Sequence, residues 1–63
     1  MHRYEVIIEF YNHNKCRLIK WADKPKHALW MAMRDWDMPQ EYTEITVVNA
    51  RNELELWVRG ENV

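Results

Sequence analysis

The chain is predicted to be α+β, a four-stranded antiparallel sheet in ββαββ order with one helix packed on one face, over a single domain of residues 1–63. Three observations predict it. Residues 4–11, 43–49 and 53–59 alternate between apolar and polar side chains, the period-two pattern of half-buried strands. Residues 25–36 carry apolar side chains at helical spacing instead. The segments between them are short and built from turn residues, which leaves no space for a second unit.

In the first strand Tyr4, Val6, Ile8 and Phe10 share one side, and Glu5, Ile7, Glu9 and Tyr11 share the other. Asn12-His-Asn-Lys15 is hairpin chemistry, since Asn tolerates the left-handed backbone that tight turns need. A second strand over 16–21 pairs antiparallel with the first, but Leu18 and Ile19 compete for its inward side. Asp23 stands at a helix N-cap position and Pro25 in the first turn, where a missing N–H costs nothing. Leu29, Ala32, Met33 and Trp36 follow the i, i+3, i+4, i+7 rule and form the expected inward stripe, with Ala28 beside it. Met38-Pro39 ends the helix, because proline pushes its predecessor out of the α region. In the third strand Ile45 and Val47 face inward; in the fourth, after a turn at 50–52, Leu54, Leu56 and Val58 do so against Glu53, Glu55, Trp57 and Arg59. One helix covers one side of such a sheet, so the other side is open or covered by another molecule.

With 63 residues the chain buries only about 60% of its unfolded surface and needs reinforcement. A single cysteine, Cys16, excludes an internal disulfide; four Trp, three Tyr and one Phe supply bulk apolar area instead. No apolar run approaches the roughly 18 residues that span a bilayer, and Glu5 and Glu9 interrupt the only segment resembling a signal peptide. The lone thiol and missing export signal point to the cytoplasm, and Met1 leading directly into a strand points to a complete small gene product.

Charge is sorted along the chain. Residues 15–34 sum to +5, residues 35–63 to −5 and residues 1–14 to −1, which recovers the formal net charge of −1. Separated signs orient a protein on a charged partner. Three surfaces follow. On the open sheet side, Glu5, Glu9, Glu44, Glu53 and Glu55 are expected among Ile7, Tyr11, Val48 and Trp57, suiting a basic protein surface or a second copy of the chain. Carboxylates there repel phosphates and argue against base stacking. On the helix, Trp30 and Met31 fall roughly 100° and 200° from Leu29, with His27 and Arg34 flanking and Arg34 one turn from Trp30. At the helix start, Arg17, Lys20, Lys24 and Lys26 form an expected cationic corner for an anion, nucleic acid or acidic protein groove. Each surface also has a plain structural reading: solvated side chains, or a Trp folded over a sheet edge to enlarge a small core.

Chemistry finds little to work with. The chain has no serine and one glycine, which excludes a serine nucleophile and a phosphate-cradling loop. Cys16 with His27 is a nucleophile–base pair on paper only. His13-x-x-Cys16 with His2 lacks the four close ligands of a structural zinc site. No catalytic residue, metal or cofactor is assigned; the reading is not an enzyme.

The segment Ala22-Asp-Lys-Pro-Lys-His-Ala-Leu-Trp-Met-Ala32, followed by Trp36, Pro39 and Tyr42-Thr-Glu-Ile-Thr46, resembles small phage-encoded inhibitors of host machinery. It is similar to the inhibitor of bacterial RNA polymerase from phage T7, with its acid-led helix, Ala-Leu-x-x-Ala core and proline-ended turn, and to small anti-CRISPR proteins in size and architecture. The resemblance covers about half the chain. It implies a small inhibitor or modulator that occludes a host protein complex, with host cytoplasm as its place of action, and carries over no individual contact residue. The expected function is therefore non-enzymatic protein binding. A nucleic-acid-binding module using the basic corner, and a homodimer paired through the open sheet side, are the alternatives.

Overall fold

A computed structural model describes residues 1–35 and 42–60. Strands β1 (His2–Phe10) and β2 (Lys15–Ala22) form a hairpin, helix α1 (Pro25–Asp35) crosses the sheet, and β3 (Tyr42–Asn49) and β4 (Leu54–Arg59) form a second hairpin. All neighbours pair antiparallel in the order β2-β1-β3-β4, so the first strand is central and the helix carries the chain across it. This is the predicted α+β ββαββ arrangement.

Alternation in β1 and β3 becomes the core directly. Tyr4, Val6 and Ile8 lie opposite Asn49, Val47 and Ile45, and Val6, Ile8, Ile45 and Val47 are wholly buried. A bulge sets Phe10 against Tyr42, and both pack on this core. The helix closes it with Ala28, Leu29 and Ala32. Small alanines let the helix backbone approach the sheet closely, which suits a thin protein. The expected stripe is thus rotated: Met33 is exposed, Met31 is half-buried against the core, and Trp36 and the Met38-Pro39 stop lie outside the described residues.

Both hairpin turns share one hydrogen-bond plan. His13 N donates to the Phe10 carbonyl and Phe10 N to the Asn14 carbonyl; Asn52 N donates to the Asn49 carbonyl and Asn49 N to the Glu53 carbonyl. His13 and Asn52 hold the left-handed position at φ 69° and 63°. In the first turn that place falls to histidine, while Asn12 accepts a bond from Asn14 N through Oδ1. Tyr11 lies in this turn rather than on the strand face.

A second bulge, between Val47 and Val48, pairs Val48 with Leu54 and leaves Leu54 exposed, against the expectation that it faces inward. Leu56 and Val58 do pack on the core.

Candidate interaction surfaces

The phase of β2 decides what the open sheet face carries. Cys16 and Leu18 pack on the core and Ala22 is buried, so Lys15, Arg17, Ile19 and Trp21 stand on the open side. Register then lays the side chains in rows across β2, β1, β3 and β4: Ile19, Glu5, Val48, Leu54; next Arg17, Ile7, Thr46, Trp57; next Lys15, Glu9, Glu44, Arg59. Trp21 and Arg3 begin a further row. An apolar band of Trp21, Ile19, Ile7, Val48, Trp57 and Leu54 crosses the sheet, with Trp21 56%, Trp57 54% and Ile19 43% exposed.

This face is not the acidic one expected. Lys15, Arg17 and Arg59 occupy the edge strands, Glu5, Glu9 and Glu44 the two central ones together with Arg3, and Arg17 Nη1 lies 3.6 Å from Glu5 Oε1. Glu9 and Glu44 meet directly opposite, a like-charge pair that disfavours the sheet unless cations lie nearby. Glu53 and Glu55 serve the turn instead: Asn49 Nδ2 donates to their Oε1 atoms at 3.3 and 2.8 Å, and Asn49 Oδ1 accepts from the backbone N–H groups of Arg51 and Glu53. Beside them, His2, Arg3, Tyr4 and Arg51 help line a depression of about 410 Å³ whose carboxylates are thus already engaged.

The basic corner is not assembled. Arg17 lies on the open face, whereas Lys20 lies on the helix side and donates to Asp35 Oδ2. That bond, and then the lysine's charge, hold the Asp35 carboxyl below its ordinary value of 3.8. Lys24 and Lys26 remain at the helix start. The Lys24 carbonyl accepts the first helical bonds, from His27 and Ala28 N, which makes Lys24 the N-cap. Asp23, expected there, sits one residue earlier with its carboxylate 3.6 Å from the amino terminus.

The outer helix face is built as a unit. Trp30 stands at its centre, 52% exposed, with Met33, Arg34, Lys26 and His27 around it. Lys26 Nζ sits 5.6 Å over the Trp30 ring, so the cation there comes from one turn before rather than from Arg34. The His27 ring lies 5.4 Å from Trp30 at a tilt of 32°. The two described acids at the helix ends, Asp23 and Asp35, are held by the amino terminus and Lys20. Among the described residues, Lys24, Lys26 and His27 therefore have no carboxylate partner, whereas the Arg34 charge acts on Asp35 alongside Lys20.

Sequence reasoning missed Ile19 and Trp21 as surface residues and Asn49 as the organiser of the second turn. Cys16 and His2 are separated along the β1–β2 ladder, pairing with Ile8 and Ala22, roughly 20 Å of strand apart. Among the described residues no group of three His, Cys, Asp or Glu side chains is placed to hold a metal ion, and no helix is long and apolar enough to cross a membrane. No protein family, curated relative or solved structure matches the chain.

Proposed function

We propose that the protein is a non-enzymatic binding module that occludes an acidic surface of a partner protein complex through the outer face of α1. The observation that carries this reading is Trp30: a half-exposed indole against Lys26 and His27, which have no carboxylate partner among the described residues. An aromatic anchor inside a charged rim has the composition of an interaction hot spot. Its cations steer the approach, while desolvation of the indole supplies affinity. Inhibition or modulation by covering a host complex, the mode implied by the resemblance to phage inhibitors, needs nothing beyond this.

The test uses a synthetic amphipathic peptide alternating Glu with Leu, titrated while indole fluorescence is followed. Wild type should bind with an affinity that falls as salt rises. Trp30→Ala and the double variant Lys24→Glu/Lys26→Glu should bind roughly tenfold more weakly or worse. Equal binding by all three would remove the helix face from consideration. A gel shift with single- or double-stranded DNA at low salt serves as the counter-test; tighter binding there than to the peptide would favour the nucleic-acid reading instead.

A further inference from the structure

The open sheet face is separate from the helix face just discussed, and it has a different character. Its apolar band lies among four cations, Arg3, Lys15, Arg17 and Arg59, and three registered carboxylates, Glu5, Glu9 and Glu44. We propose that this face is the interface of a symmetric homodimer and that its occupant is a second copy of the chain.

Charge complementarity selects that occupant. A surface of one sign, basic or acidic, would be repelled by about half of the face. A second copy presents both signs in the same arrangement, Lys15, Arg17 and Arg59 on the edges flanking central acids, so a small offset between the copies sets the cations of one over the carboxylates of the other. The opposed Glu9 and Glu44 are flanked in their own row by Lys15 and Arg59, and cations of a second copy arriving from above add to that neutralisation.

Area agrees. Four strands about 4.8 Å apart and seven to eight residues long span about 500 Å² of sheet, so a face-to-face pair covers about 1,000 Å², where specific interfaces begin. Trp21 and Trp57 project from that plane and add to it. The core also calls for a second layer. Among the described residues, the nine buried hydrophobic ones lie on the helix side of the sheet, at its end or on the helix itself, and no described element covers the opposite side. Edge-to-edge pairing through β2 is disfavoured, since that strand carries Lys15, Arg17 and Lys20.

Sedimentation equilibrium over a dilution series decides the matter. The expected result is a two-chain mass at high concentration that falls towards one chain on dilution. Trp57→Ala and Ile19→Ala, both at exposed positions the monomer does not need, should each raise the dissociation constant roughly tenfold or more with circular dichroism unchanged. Trp30→Ala should leave the mass unchanged, so this outcome is independent of peptide binding by the helix face. A one-chain mass for wild type up to about 1 mM would overturn the proposal. So would a dimer indifferent to Trp57→Ala and Ile19→Ala, or one dissociated by Trp30→Ala.

Discussion

Gly60, the chain's one glycine, is buried where β4 ends, and its N–H donates to the Thr43 carbonyl at 2.8 Å. A Cβ at this position would stand 2.0 Å from the Tyr42 carbonyl oxygen, a backbone atom that cannot swing aside. Gly60→Ala should therefore cost about 1–3 kcal/mol, seen as a lower urea midpoint with an unchanged slope. Asp35 shows the opposite kind of constraint, electrostatic and exposed. A carboxyl whose folded pKa is depressed contributes its stability in full above its unfolded value, and loses it as pH falls through the folded value. The difference in stability between wild type and Asp35→Asn should thus be constant at neutral pH and shrink as pH drops below 3.8. A difference that stays constant into acid would show that the Lys20 contact contributes nothing.

At the scale of elements, β1 and β3 were legible because their central inward positions, Tyr4, Val6 and Ile8 with Ile45 and Val47, are all apolar or aromatic. β2 was not. Either phase turns a cation inward, Arg17 with Ile19 or Lys20 with Leu18, and the residue that settles the choice, Asp35, lies fifteen positions further along the chain. Strand alternation has no access to such a partner. The same slip displaced the candidate site, since it moved Arg17 out of the expected corner and placed Ile19 and Trp21 on the open face. The helix was recognised by its spacing, but its rotation depended on how closely alanines allow it to approach the sheet. Trp30, on the flank of the expected stripe, came to the centre of the exposed side because Ala28, Leu29 and Ala32 form the buried one. Its start is unconventional in that lysine serves as N-cap. Lys24→Ser should stabilise the fold by about 0.5–2 kcal/mol in thermal unfolding, because a hydroxyl can bond the free N–H groups and one charge opposing the dipole is removed. The same change should weaken the acidic peptide, as expected if Lys24 is kept for binding at the expense of stability.

Across the whole molecule, folding undoes the charge sorting seen along the chain. The basic stretch sends Lys15 and Arg17 to the open sheet face, Lys20 to the helix side and the remainder to the helix, while Glu44 and Arg59 from the acidic half return to lie in one row with Lys15 and Glu9. The outcome is two unlike faces, one mixed and apolar, the other basic around a single indole. Pairing through the first would leave the second pointing outward twice, on opposite sides of the dimer. Two linked copies of one weak site bind a repeating or multi-subunit target far more tightly than one does.

The central position of β1 has a consequence for how the chain comes together. This strand is synthesised first, yet one of its two flanks stays bare until the helix has been passed and β3 arrives. A product cut short after the helix would keep the first hairpin with an unpaired Val-Ile-Ile segment along its rim, the kind of edge on which extended chains stack. Completion of β3, rather than formation of the helix, is the step that closes this edge.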